Sequence, residues 1–171
     1  DFDKGDILLL QNEVSNLSFI IDEGYKRGMS IVLNPSPINE KIFECDLEKV
    51  EYLILNEIEA ADILGASDTS EDELIEKLTK RFPGMKIVLT LGEKGSVYVD
   101  KTQKVRQEIY KADVVDTTAA GDTFTGYFIA GLVAGTDVSG ALKQAAKAAS
   151  ITVSRKGASP SIPFAKEVCE K

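Results

Sequence analysis

An α/β fold with a mainly parallel sheet is predicted by three features of the 171-residue sequence. Four short runs, Ile7–Leu10, Ile31–Leu33, Tyr52–Leu55 and Ile87–Thr90, are apolar almost throughout. Strands buried on both faces read this way, whereas half-exposed strands alternate. Amphipathic stretches of helical period separate the runs, as crossover helices separate parallel strands. Composition is the third feature: 43% hydrophobic and 28% charged residues, without repeats or low-complexity tracts, is ordinary globular usage. The length favours one domain over residues 1–171.

The elements follow in order. A helical pattern from about Asn16 to Gly28 lies between the first two strands, and another, Glu57–Leu64, follows the third. Ser70 and Glu73 have the spacing of a capping box, in which each side chain satisfies the other residue's backbone N–H. Behind them, Leu74, Ile75, Leu78 and Phe82 mark one buried helical face leading into the fourth strand. Ser96–Val99 and Lys104–Tyr110 alternate polar and apolar residues, which predicts exposed antiparallel strands at one edge. Two helices rich in small residues, Ala120–Ala134 and Val138–Val153, complete the chain. Loops beyond the strand ends should hold the chemistry.

Acidic residues outnumber basic ones 28 to 20, a net charge of −8, and this field repels polyanions. Nucleic acid is therefore not the expected partner, although a small anion can still be held by backbone N–H groups or a helix terminus. Histidine is absent, which removes Ser-His-Asp and Cys-His catalysis and every histidine-bearing zinc site. A general base must be a carboxylate, Lys, Tyr or Cys. Cys45 and Cys169 stand alone, as reduced thiols do in a cytoplasmic protein. The sequence has neither a signal-peptide core nor an apolar run of membrane-spanning length, so no membrane partner is expected. The first residue is Asp1 and an apolar run begins at Ile7, which predicts a start inside a longer protein.

The segment DTTAAGD, residues 116–122, carries the most information. Its small residues enter a helix and gather N–H groups around the positive helix end, an arrangement suited to an anion. Asp122 could accept a proton from a substrate hydroxyl there, while the N–H groups of Ala119, Ala120 and Gly121 stabilise charge on a transferring phosphoryl group. Gly121-Asp122 alone also fits an ordinary helix start capped by aspartate.

The whole segment resembles the signature of the ribokinase-like, or PfkB-type, carbohydrate kinases, and its Ala-Ala-Gly-Asp version is similar to that of the ribokinase branch. The resemblance implies a three-layer α/β/α sandwich and a catalytic set of Asp122, Gly121, Ala120 and Ala119. Further segments match in order. NPSP, residues 34–37, closes the second strand, and Glu13 stands where the family contacts the sugar, although alone it reads as a solvated loop residue. Asn56 and Glu59 match an N-x-x-E motif that organises Mg²⁺ and ATP phosphates through water, yet the same pair is also a capping box.

Thr90, Leu91, Gly92, Glu93, Lys94 and Gly95 match the family's ATP-binding segment, completed by Asn56, Gly121 and Asp122; a plain β-turn is the alternative. This segment is not a Walker P-loop, which needs Gly-Lys-Ser/Thr. Residues 154–163 resemble the segment that, with Asp116 and Thr118, holds a monovalent cation, usually K⁺. By position Thr152, Arg155, Gly157 and Ser161 complete that set, and a basic helix end followed by a Gly-Pro turn is the alternative.

The resemblance covers only the C-terminal, ATP-binding and catalytic part of such a kinase. The family's Gly-Gly sugar motif and β-sheet lid are not in this sequence, which leaves open whether the chain is active alone. The implied reaction is transfer from ATP to a sugar hydroxymethyl group, D-ribose first, with Mg²⁺ as cofactor, K⁺ as activator and a homodimeric parent. Kinases for fructose, 2-keto-3-deoxygluconate or a nucleoside, and a non-catalytic nucleotide-binding fragment, are the competing readings.

Overall fold

A computed structural model describes residues 2–67 and 69–169. The chain packs as two compact units, Asp1–Thr90 with Tyr98–Lys104, and Leu91–Val97 with Val105–Lys171. The described strands run in the sheet in chain order.

In the first unit the apolar runs become β1 (Ile7–Gln11), β2 (Ser30–Asn34), β3 (Tyr52–Asn56) and β4 (Lys86–Thr90), each parallel to the next. Ile31, Val32, Leu33, Leu53, Ile87, Val88 and Leu89 are fully buried, which explains the absence of alternation in β2, β3 and β4; β1 departs from the expectation, because it lies at the end of the sheet and exposes Leu9. Each fully buried side chain contributes up to about 2 kcal/mol by leaving water. Helix α1 (Leu17–Lys26) turns Leu17 and Ile21 inward. It is shorter than expected at both ends: Asn16 is a left-handed N-cap outside the helix, and the helix stops at Lys26, before Gly28 turns left-handed (φ 70). Helix α2 (Glu57–Leu64) follows β3, and α3 (Glu71–Arg81) buries Leu74, Ile75 and Leu78 behind the expected Ser70–Glu73 capping box.

Parallel strands bring their carboxyl ends to one side. Register sets Gln11 opposite Asn34 and Asn56 opposite Thr90, so the loops after β1, β2, β3 and β4 emerge along one sheet end. At the other end Lys86 Nζ lies 2.6 Å from Glu51 Oε1, and the Ser30 hydroxyl donates to the same carboxylate.

Strands β5 (Ser96–Val99) and β6 (Lys104–Gln107) are joined by a tight turn in which Asp100 N–H donates to Gln103 O, a connection that fits antiparallel strands. Two expectations are corrected here. All four β5 residues are buried, so its alternation does not mark a solvent face. The β6 strand stops at Gln107 instead of Tyr110, and only β6 alternates in exposure as an edge strand does.

The second unit contains α4 (Ala120–Val133), α5 (Val138–Val153) and the short α6 (Ala165–Cys169). Small residues line the α4/α5 pair: Thr123, Thr125, Ala141, Ala145 and Ala148 are buried. Asp137 caps α5 by accepting from Gly140 N–H at 2.8 Å. Among the described residues no helix is long and apolar enough to cross a membrane.

Candidate functional site

In the first unit four expected site residues, Glu13, Asn56, Glu59 and Thr90, lie at or just beyond strand ends. Glu13 is exposed just beyond β1. Its neighbour Asn12 is buried, donates from Nδ2 to Pro37 O at 2.6 Å and from its backbone to Ser36 O at 3.1 Å. The loop after β1 is thereby tied to the NPSP loop after β2. Sequence reasoning did not single out Asn12; an amide between Gln11 and Glu13 gives no signal of its partners 24 and 25 residues away.

Asn56 and Glu59 form the capping box of α2. Glu59 N–H donates to Asn56 Oδ1 at 2.9 Å, and Asn56 N–H donates to Glu59 Oε2 at 3.0 Å. The plain reading of this motif is therefore realised. It leaves Glu59 Oε1 outside the box, and the half-buried carboxylate fits a cation held through water better than one stripped of it. Thr90 ends β4, with its hydroxyl 3.4 Å from Leu55 O.

In the second unit Leu91–Gly95 is a tight turn around a single 3₁₀ turn, Gly92–Lys94. Leu91 N–H donates to Gly95 O at 2.8 Å and Lys94 N–H to Leu91 O at 3.0 Å. The two glycines serve different ends. Gly92 (φ 54) faces open space, whereas a Cβ on Gly95 (φ 91) would overlap Gln107 O and lie 3.0 Å from Gln107 C and Glu108 Cα. Close approach at Gly95 is to the chain leaving β6, so packing by itself requires glycine there.

Segment 116–122 is fixed at its start. Val115 and Asp116 N–H both donate to Val153 O at the end of α5, at 2.8 and 3.1 Å. The Asp116 carboxylate accepts from Thr118 N–H at 2.9 Å and Gly157 N–H at 3.0 Å. The Thr118 hydroxyl and these two N–H groups hold the Asp116 carboxyl down to about 2. Ala119 then turns left-handed (φ 61) as the N-cap of α4, with no side-chain cap.

Asp122 is consequently the third residue of α4 and not its cap, which is the plain alternative the structure does not adopt. Gly121 and Asp122 are exposed, and Gly121 has open space where a side chain would be. Of the three N–H groups expected to face a phosphoryl group, that of Ala120 already donates to Thr117 O at 3.3 Å.

The residues read as a cation set divide. Asp116, Thr118 and Gly157 are brought together by the bonds just described. Thr152 turns its hydroxyl inward to Thr123 Oγ1 at 3.1 Å, Ser161 donates to Ala158 O at 2.6 Å, and Arg155 pairs with Glu167 at 2.5 Å. A monovalent ion here would have to rest on main-chain oxygens and the remaining lone pairs of Asp116, which suits K⁺ better than a small divalent ion. Among the described residues no three acidic or thiol side chains cluster as a metal site.

The fold is that of the ribokinase-like α/β proteins, with a mostly parallel sheet. The solved structure of an Arabidopsis thaliana ribokinase complexed with ribose and ATP matches at a TM-score of 0.84 and 30% identity, over 95% of this chain and 54% of that one. Residues 4–165 match the pfkB family carbohydrate kinase, and the chain belongs to that family. A Staphylococcus aureus ribokinase is 38% identical over 144 residues, 82% of this chain and 47% of the relative. A Salmonella typhi deoxyribokinase is 30% identical over 172 residues, 95% of this chain and 55% of the relative. The chain thus spans about half the length of the curated relatives it matches.

Proposed function

We propose that the protein carrying this chain transfers the γ-phosphoryl group of ATP to a hydroxymethyl group of D-ribose, with Asp122 as general base. The observation that carries this reading is the exposed Asp122 in the uncapped first turn of α4, at the end of a segment anchored through Asp116. Family membership and the similarity to ribokinases support it.

In this reading the hydroxymethyl oxygen meets Asp122, whose carboxylate accepts the proton as the oxygen attacks phosphorus in line. Ala119 and Gly121 N–H groups face the charge on the transferring group, assisted by the helix dipole. ATP lies along Thr90–Gly95 and Asn56, and Glu13 holds a sugar hydroxyl. Mg²⁺ bound with ATP would offset phosphate charge, with Glu59 reaching it through water, and K⁺ beside Asp116 and Thr118 would stiffen the segment. The 171 residues act as one catalytic domain of a cytoplasmic, homodimeric enzyme, with small molecules and not nucleic acid as partners.

A second reading, 2-deoxyribose as acceptor, is favoured by the deoxyribokinase relative. Phosphorylation assays on the full-length protein with ribose, 2-deoxyribose, fructose, 2-keto-3-deoxygluconate and nucleosides separate these. Ribose is expected to have the highest kcat/KM, and a better acceptor among the others would overturn the substrate assignment. Asp122→Asn should lower kcat by about 10²–10⁴-fold or more with ATP affinity nearly unchanged. A variant that keeps its kcat removes Asp122 as the base.

A further inference from the structure

The start of α4 and the end of α5 are joined by a hydrogen bond that the proposed chemistry does not use. The Thr152 hydroxyl donates to Thr123 Oγ1 at 3.1 Å, and both side chains are buried, at 0% and 3% exposure. Thr123 directly follows Asp122. Thr152 directly precedes Val153, whose carbonyl accepts the N–H groups of Val115 and Asp116. Segment 116–122 is therefore held at both ends by the end of α5 and the loop that follows it: through Val153 O and Gly157 N–H at Asp116, and through the threonine pair beside Asp122.

We propose that Thr123 and Thr152 are positioning residues that fix the Asp122 carboxylate by clamping the first turn of α4 to the last turn of α5. The inference rests on the reading of Asp122 as the base. A buried hydroxyl left without its partner is costly, so the pair favours one arrangement of the two helix ends over looser ones. Two other features concentrate this constraint at the first turn. Ala119 provides no side-chain cap, so α4 begins without the N-cap hydrogen bond that usually fixes a helix start. Thr123 N–H makes a backbone bond across that turn, to Ala119 O at 2.9 Å, so a shift of Thr123 carries Asp122 with it. The Thr152 carbonyl is occupied separately by Arg155 N–H at 3.0 Å, which means that changing the side chain spares the main-chain oxygens of the loop beyond.

The test uses Thr123→Val, Thr152→Val, the double variant and Thr152→Ser in the full-length protein, assayed well below the Tm of the least stable. Each valine variant should lose about fivefold to tenfold in kcat, with KM for ATP within about twofold, because a small displacement of a reacting group is costly while nucleotide contacts are kept. The double variant should lose no more than either single, and Thr152→Ser should recover most of the rate. Amide exchange at Gly121, Asp122 and Thr123 should accelerate to the same degree in all three valine-bearing proteins.

An unchanged kcat, losses that multiply in the double variant, or a serine variant as slow as the valine one overturns the inference. Should a single valine variant fail to fold, the double, in which no hydroxyl is orphaned, gives the same comparison with wild type. Should the wild type phosphorylate no sugar, the proposed function fails, and amide exchange alone decides for or against the clamp.

Discussion

Gly95→Ala is a demanding check on the strand-end turn, because its effect is set by two separable causes. The first is conformational: φ 91 and ψ −133 lie in a region that side-chain-bearing residues avoid, at a cost of about 1–3 kcal/mol. The second is steric. A methyl group would overlap Gln107 O and approach Gln107 C and Glu108 Cα to 3.0 Å, and these are backbone atoms that cannot rotate away. Displacing them costs about 1–3 kcal/mol more. The sum, about 2–6 kcal/mol, is a large part of ordinary domain stability of about 5–15 kcal/mol.

Gly92→Ala is the matched control. It shares a positive φ, 54, but has no neighbour within 4 Å, so only a left-handed penalty of about 1–2 kcal/mol applies. Both variants lose the same unfolded-state freedom, and that contribution cancels in their difference. Urea unfolding followed by circular dichroism should place Gly95→Ala below Gly92→Ala by about 2 kcal/mol or more, roughly a 1 M shift in midpoint for an m-value near 2 kcal/mol/M. Equal midpoints would refute the packing account of Gly95 and return it to the role of a ligand-facing glycine.

Three further outcomes are expected. Glu59→Gln keeps the capping box, since glutamine also serves at that position, so Tm should hold while the Mg²⁺ concentration needed for half-maximal rate rises; a fall in Tm without that rise reduces Glu59 to a cap. Asp116 has a folded-state value of about 2 against 3.8 for the free side chain, so its stabilisation is present above about pH 4 and is lost as pH falls toward 2. Acid unfolding of Asp116→Asn should show a shallower pH dependence in that window, and an unchanged slope contradicts the assignment. Among the described strands β1 lies at the end of the sheet with Leu9 45% exposed, so the isolated 171-residue chain should self-associate through that edge. Leu9→Lys should shift sedimentation toward monomer, and an indifferent result places the contact elsewhere.

Strands β2, β3 and β4 were legible because continuous burial on both faces leaves a continuous apolar run, as at Leu53–Leu55, whereas β1 is as apolar in sequence but exposes Leu9. Both capping boxes were legible because their partners are three residues apart. Strand β5 was misread for a tertiary reason: Ser96 and Tyr98 look polar in sequence, yet both are buried, and Tyr98 donates to Asp100 at 2.6 Å. The DTTAAGD segment announced Asp122, but nothing local revealed that Ala119, and not the aspartate, caps the helix.

The sequence by itself determined the four apolar runs, the exclusion of histidine chemistry within these residues and the candidate base, because period, composition and short motifs are properties of neighbours along the chain. Tertiary structure decided what holds that base. Asp116 meets Gly157 across 41 residues, and Thr152 meets Thr123 across 29. Such bonds join groups with no common pattern in sequence; they arise only when the packing of α4 on α5 brings two helix ends within hydrogen-bonding distance.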